Sequence, residues 1–247
     1  MTKKRQNRKR CPGRGFEVIK PLASSSSGNA YLIGGRSPLL LDCGLPYRQL
    51  QKAAGYQLAS LAGCLVTHEH GDHSKAAKDL MKSGVDLYCS QGTADALKLD
   101  GHRLNIIKAR QQFRLGGWQV LPFETEHDAK EPLGFLLAAD GERILYATDT
   151  FYIRYRFPGL THILLEVNFA QDILDANIER GLSPAHRRRV MRSHMSLETA
   201  KGFLRANDLS KVREIWLCHL SDGNSDAERF KREIQATTGK PVFVAEK

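Results

Sequence analysis

No apolar run in the 247 residues approaches the roughly 20 residues that a membrane-spanning helix requires. The N-terminus lacks the apolar segment of a secretory signal, so a cytoplasmic setting is the expectation. Cysteine is scarce: Cys11, Cys43, Cys64, Cys89 and Cys218 are odd in number and widely scattered, which excludes a regular disulfide framework. Most of them sit in strand-like apolar runs, where a reduced thiol serves as a small core residue. No Pro- or Gly-rich linker divides the chain and no repeat is visible. One domain over residues 15–247 is therefore expected, behind a basic tail at 1–14 that looks unstructured.

Acidic residues are in deficit, 27 against 37 lysines and arginines, and the net charge is +10. Six of the basic residues, Lys3, Lys4, Arg5, Arg8, Lys9 and Arg10, precede any core sequence. Such an arm either attracts a polyanion or merely solubilises the chain. A second basic group, Arg187, Arg188, Arg189 and Arg192, lies just before His194 and reads as a phosphate contact or as a solvated helix face.

What is abundant is local. Thr67-His68-Glu69-His70-Gly71-Asp72-His73 places four potential metal ligands in six residues at the end of the apolar run 63–66. That run has the character of a buried strand, so the ligands fall where a strand gives way to a loop. His68 and His70, two apart, face the same side of an extended backbone, while Gly71 lets Asp72 and His73 turn towards a second point. One loop can thus serve two ions. Neutral imidazoles and a carboxylate suit zinc and its neighbours, and the lack of cysteine in the cluster argues against a closed structural zinc site.

Along the chain, strands are expected at 16–23, 30–33, 39–41 and 63–66, with the serine run 24–29 as a tight turn in first place and phosphate binding through its hydroxyls and turn amides as the alternative. Further strands follow at 85–89, 104–107, 118–123, 134–138, 143–147, 162–167, 214–217 and 242–245, with an Asp140-Gly141 hairpin turn. Helical spacing marks about 47–54, 76–81, 93–97, 172–180, 197–206 (Ser196 as N-cap) and 226–237. Each half opens with meandering strands and ends in alternating strand and helix. This predicts an α/β fold of two facing sheets with helices outside, a four-layer αββα sandwich. His70, His127, Asp149 and His219 all follow apolar strands, and strand ends converge along one edge of such a sandwich.

The intact signature His-x-His-x-Asp-His at His68, His70, Asp72 and His73 resembles the metallo-β-lactamase superfamily, and the resemblance runs from Phe16 onward. It implies one metal held by His68, His70 and His127, a second held by Asp72, His73 and His219, and Asp149 bridging them. Asp42 corresponds to an aspartate that buttresses the metal loop. Two such ions, zinc or alternatively manganese, sharing a carboxylate would share and acidify a water, so hydrolysis is the implied reaction.

Ser193-His194-Met195-Ser196, followed by a helix and by Leu217-Cys218-His219-Leu220-Ser221, is similar to the phosphodiesterase branch that includes RNase Z. There the histidine before the helix faces the scissile phosphate, which implies that role for His194. The phrase from Leu22 to Ile33 with Leu41-Asp42-Cys43-Gly44 resembles the WalJ (YycJ) group of compact bacterial and phage nucleases. Departures are Ser25 where glycine is usual, Met195 where leucine is usual, and a partial acidic-Asn pattern at Glu166-Val167-Asn168-Phe169.

Only 21 residues separate His127 from Asp149, which leaves no room for the arm with which RNase Z grips transfer RNA. No large insertion precedes His219, so the capping domain of RNase J-type nucleases is lacking too. The resemblance therefore implies a metal-dependent phosphodiesterase, in first place a DNA exonuclease, in which Asp72 and the metals position the attacking hydroxide. DNA is favoured over RNA as partner. A cyclic-nucleotide phosphodiesterase and a thioester, lactone or lactam hydrolase use the same site and stand as alternatives.

Overall fold

The computed structural model of the protein describes residues 18–245, so the basic tail at 1–14, Cys11 and Phe16 lie outside the described residues. The described chain enters on an antiparallel meander, β1 (Ile19–Ser25), β2 (Gly28–Ile33) and β3 (Leu39–Leu41). After α1 (Tyr47–Ala53), the strand β4 (Gly63–Leu65) joins β3 in parallel. The short turn α2 (Gly71–Ser74) and α3 (Ala77–Lys82) lead to β5 (Leu87–Cys89), and α4 (Gln91–Leu97) leads to β6 (Leu104–Ile106). These six strands lie in one sheet in chain order.

The second half repeats the plan. An antiparallel run of β7 (Phe113–Leu115), β8 (Trp118–Glu124), β9 (Leu133–Ala139) and β10 (Glu142–Ala147) passes into the parallel strand β11 (His162–Glu166). Three helices follow, α5 (Gln171–Glu179), α6 (Pro184–Ser193) and α7 (Leu197–Ala206). The parallel strand β12 (Glu214–Cys218), α8 (Ala227–Thr238) and β13 (Val242–Val244) complete a seven-stranded sheet, again in chain order. Among the described residues no helix is long and apolar enough to cross a membrane.

Strand alternation explains the layering. Leu39, Leu41 and Leu65 share a buried cluster with Phe135, Leu137, Ile144, Tyr146 and Leu164 of the other sheet, which is the core between the sheets. Their neighbours Leu40 and Cys64 point the other way, onto Leu50, Ala77, Leu80 and Ala94 of the helices covering the first sheet. Likewise Ile163 and Leu165 pack with Leu197, Ala200, Phe203, Phe230 and Ile234 on the outer face of the second. Strands buried on both faces are continuous apolar runs for this reason, as in Leu39-Leu40-Leu41. The expected αββα sandwich is thus the observed one.

Differences are local. The serine turn shrinks to Ser26-Ser27, because β1 extends to Ser25 and β2 begins at Gly28. The strand β7 was not expected; it is three residues long, too short for a period-2 pattern to register. Helix α6, capped by Ser183 with Pro184 at its start, is strongly polar and carries too few apolar residues to form a recognisable stripe. The Asp140-Gly141 hairpin is present, and both residues adopt positive φ, as a primed turn requires. Ser196 caps α7 as expected, its hydroxyl accepting from Thr199 N–H at 3.1 Å.

Candidate metal centre

Because β1, β3, β4, β8, β10, β11 and β12 run in a common sense within their sheets, their C-terminal ends share an edge, and the candidate ligands are gathered there. Three residues just beyond these ends, Asp42, Asp149 and His219, hold left-handed backbone, with φ of 57°, 46° and 53°. For a residue with a Cβ this costs about 1–2 kcal/mol each. Such strain persists only where surrounding contacts impose it, and it concentrates at functional sites.

Three overlapping four-donor groups result, one of them Asp149, Glu166, His194 and His219, and the other two take in the expected ligands. His68, His70, His127 and Asp149 form one, Asp72, His73, Asp149 and His219 the other, and within each group the donor atoms all lie within 4.8 Å of one another. Asp149 faces both groups with different oxygens. Its Oδ2 is 3.5 Å from His68 Nε2 and 3.3 Å from His127 Nε2, while its Oδ1 is 3.4 Å from His73 Nε2 and 3.5 Å from His219 Nε2. His70 Nδ1 is 3.1 Å from both His68 Nε2 and His127 Nε2. Asp72 Oδ2 lies 3.3 Å from His73 Nε2 and 3.2 Å from His219 Nε2.

These separations test the fit of a metal. Ligands bonded at about 2.0–2.2 Å in a tetrahedron stand roughly 3.3–3.6 Å apart, which matches the donor spacings here. The outer faces of the rings are held accordingly. His127 Nδ1–H donates to the Ser193 carbonyl at 2.9 Å and His73 Nδ1–H to Asp42 Oδ2 at 2.7 Å, so each turns its Nε2 to the centre. His68 Nδ1 meets the Thr67 hydroxyl at 3.0 Å. The donor set therefore suits divalent ions at both groups.

Electrostatics point the same way. Burial disfavours the charged form of His68 and His127 and pushes both down, leaving neutral imidazoles. Burial also works against charged His73 and His219, but Asp149 and the adjoining carboxylates outweigh it, raising His73 well above its ordinary value and His219 to about 10. Burial likewise opposes ionisation of Asp72, yet hydrogen bonds from His219 and His73 hold its carboxyl far below the usual range. Among the described residues no lysine or arginine pairs with Asp42, Asp72, Asp149 or Glu166; their ion-pair partners are all imidazoles. A site with this surplus of buried carboxylate is built for cations.

A fully buried carboxylate, Asp42, braces the ligand stretch. It accepts from Thr67 N–H at 2.8 Å, from His73, and from the Tyr146 hydroxyl at 2.6 Å. Gly44 allows the same stretch to approach: a Cβ there would sit 1.6 Å from the Asp72 carbonyl oxygen. Asn29 Nδ2 donates to the Ser25 carbonyl at 2.9 Å and stands 3.1 Å from His73 Nε2 and 3.3 Å from Asp72 Oδ2. Ser24, at the end of β1, accepts the His219 N–H at 3.0 Å, so the serine run supports the centre as well as connecting strands.

His194 follows α6 and lies against both groups, its ring stacked on His219 at 5.3 Å and 5.5 Å from that of His127. Its Nδ1 is 2.6 Å from Glu166 Oε1. Glu166, completely buried at the end of β11, is fixed in turn by Thr150 N–H at 2.8 Å and Met195 N–H at 3.2 Å on its other oxygen. Burial would lower His194, but Glu166 beside it overcomes this and raises it. All of the candidate site residues, His68, His70, Asp72, His73, His127, Asp149, His194 and His219, are thus brought together. Nothing in the sequence pointed to Glu166 or Tyr146 as supports of the centre, and Ser24 and Asn29 were expected only in a turn; of the acidic-Asn phrase at Glu166–Asn168, Asn168 donates to the His219 carbonyl at 2.8 Å.

The chain belongs to the β-lactamase superfamily: the Beta-lactamase superfamily domain matches residues 38–220, and the two-sheet sandwich is the metallo-β-lactamase fold of hydrolases that carry divalent metal ions. Among particular proteins, it is similar to Exodeoxyribonuclease WalJ of Streptococcus pneumoniae serotype 2, at 29% identity over 227 residues, 84% of this chain and 82% of that protein. It is also similar to Exodeoxyribonuclease YycJ of Bacillus anthracis, at 28% identity over 242 residues, 90% of this chain and 89% of the other. The metallo-β-lactamase fold protein YhfI from Bacillus subtilis superposes with a TM-score of 0.71 at 15% identity, covering 92% of this chain and 96% of that one. At such identity the likeness speaks to fold alone.

Proposed function

We propose that the chain is a two-metal phosphodiesterase that degrades DNA from an end. The observation that carries it is the carboxylate of Asp149, one oxygen on each of two four-donor groups, with the Glu166-held imidazole of His194 against both. The names of the two curated relatives support DNA and an exonucleolytic mode. The arginines of α6, at the same edge, support a phosphate-bearing substrate.

Bound ions, for which the imidazole-rich donor set favours zinc over manganese, supply charge neutralisation at the phosphate and a water acidified towards neutral pH. His68, His70 and His127 would hold one, Asp72, His73 and His219 the other. Asp72, the more exposed of the two central carboxylates, orients the attacking water. Glu166 keeps a proton on His194 Nδ1 and steadies the imidazolium, so that Nε2–H can stabilise charge on the phosphate or pass its proton to the leaving oxygen.

The test is a substrate panel with zinc or manganese: 5′-phosphorylated single-stranded and duplex DNA, RNA, cyclic mononucleotides and a thioester. Progressive shortening of DNA is expected. Asp72→Ala and His194→Ala should each remove most activity, about 100-fold or more, and only the former should loosen metal. Cleavage confined to cyclic nucleotides, or unchanged turnover in His194→Ala, refutes the proposal.

A further inference from the structure

Among the described residues six large hydrophobic side chains are exposed: Tyr56, Ile106, Phe151, Tyr152, Met191 and Phe243. Isolated exposure of this kind is ordinary. Phe151 and Tyr152 differ in being adjacent and in place. Phe151 lies two residues beyond Asp149, so their Cα atoms are at most about 7 Å apart.

The segment bearing them is rigid. Thr150 N–H donates to Glu166 at 2.8 Å, and the Thr150 hydroxyl accepts from Glu126 N–H at 2.9 Å and donates to the Tyr152 carbonyl at 2.8 Å. Phe151 N–H donates to the Glu126 carbonyl at 3.1 Å. Beyond the pair, Ile153 and Phe157 are buried in the core of the second sheet. Flat side chains held out to solvent on a pinned backbone lose little freedom on binding a second flat group.

Their surroundings select the kind of group. The ligand loop at 126–128 is gripped from one side by this segment, through Phe151 and the Arg154–Glu126 ion pair, and from the other by α6, through Ser193 and Arg189, whose Nε is 3.5 Å from Asp128 Oδ2. On these two flanking elements Arg156, four residues beyond Tyr152, and Arg188 and Arg192 of α6 are exposed and make no ion pair among the described residues. Exposed aromatic faces beside unpaired guanidinium groups are the recognition chemistry of unpaired nucleobases on a phosphate backbone.

We propose that Phe151 and Tyr152 form a stacking platform for an unpaired base next to the scissile phosphate, which makes single-stranded or frayed ends the preferred substrate. The platform rests on the nuclease reading of the site. A base within a duplex is already stacked on its neighbours and must be unpaired before it can use the platform.

The experiment compares a 5′-phosphorylated single-stranded oligonucleotide with the same oligonucleotide carrying abasic residues at its ends, with zinc or manganese present. For the wild-type chain the abasic substitution is expected to raise KM roughly 5- to 150-fold, the range of base–aromatic stacking. Phe151→Ala/Tyr152→Ala should raise KM on the natural oligonucleotide by a similar factor, with kcat and metal content unchanged and no remaining sensitivity to abasic ends. Tyr152→Phe should behave as wild type, and so should Tyr56→Ala, which removes an exposed aromatic elsewhere. Equal handling of both oligonucleotides by the wild-type chain, or undiminished discrimination in the double variant, overturns the platform alone. Failure to cleave any oligonucleotide while another ester is hydrolysed overturns the nuclease reading and the platform with it.

Discussion

Replacing Tyr146 with phenylalanine deletes one oxygen from the core between the sheets and leaves the ring in place. That oxygen donates at 2.6 Å to Asp42 Oδ2, a carboxylate with no exposure that also receives Thr67 and His73. Burial, reinforced by Asp42, pushes the Tyr146 phenol well above its ordinary pKa, so the hydroxyl remains a donor throughout the working range. A hydrogen bond to a charged acceptor contributes about 1.5–3 kcal/mol. For a chain of this size that corresponds to a fall in Tm of about 3–12 °C.

Tyr31 provides an internal comparison, because its ring lies 5.4 Å from that of Tyr146 but its hydroxyl meets neutral groups, Ser24 Oγ at 2.8 Å, Asn29 Oδ1 at 3.2 Å and the Cys218 thiol. Tyr31→Phe should therefore lower Tm by about 1–6 °C, on roughly 0.5–1.5 kcal/mol. Thermal unfolding followed by circular dichroism, on metal-loaded and chelated protein, measures both. Since Asp42 fixes His73, Tyr146→Phe should also weaken metal binding about 10- to 100-fold by titration. A Tyr31→Phe effect equal to or larger than that of Tyr146→Phe in both states would refute the reasoning that the charge on Asp42 sets the difference.

Gly44→Ala sets a Cβ 1.6 Å from the Asp72 carbonyl oxygen, backbone that cannot rotate aside, so Tm should fall by at least several degrees, on about 1–3 kcal/mol or more. The metal-to-protein ratio should fall with it, and wild-type metal content would contradict the close approach. The Glu124 carboxyl is held to about 2 by hydrogen bonds from Arg110 and Tyr155, against the cost of its partial burial. A depressed folded-state pKa stabilises above the unfolded value and loses that contribution as pH falls towards about 2. Urea unfolding of Glu124→Gln should accordingly be weaker than wild type at pH 6 and converge with it near pH 2–3; a constant gap would count against the assignment.

Most of the architecture was legible because it rests on local patterns. Continuous apolar runs such as 39–41 and 163–165 can be buried only with a layer on each face, and the helix at 197–206 carries its own spacing and cap. The ligands were legible because His68 to His73 cluster in sequence and His127, Asp149 and His219 each follow a strand. The supports were not, since hydrogen bonds between distant positions leave no periodicity. Tyr146 reaches Asp42 across 104 residues and Ser24 reaches His219 across 195. Tyr146 in particular looks like any core aromatic until the facing sheet is in place. Helix α6 showed only as a basic helix face, without bounds, because it packs Val190 alone into a small cluster with Phe169 and Leu174 and leaves Arg188, Arg189 and Arg192 to solvent.

Because each sheet is made from one contiguous half of the chain, the centre is a joint between them. His68 and His70 of the first group come from the first half and His127 and Asp149 from the second; Asp72 and His73 of the second group come from the first half and Asp149 and His219 from the second. Two donors from each side means that neither half carries a complete set. An ion bound here would act as a clasp, its affinity including the free energy of closing the sandwich. Loosening the apolar seam far from the ligands would then be felt as weaker metal binding, with no change in the donors themselves.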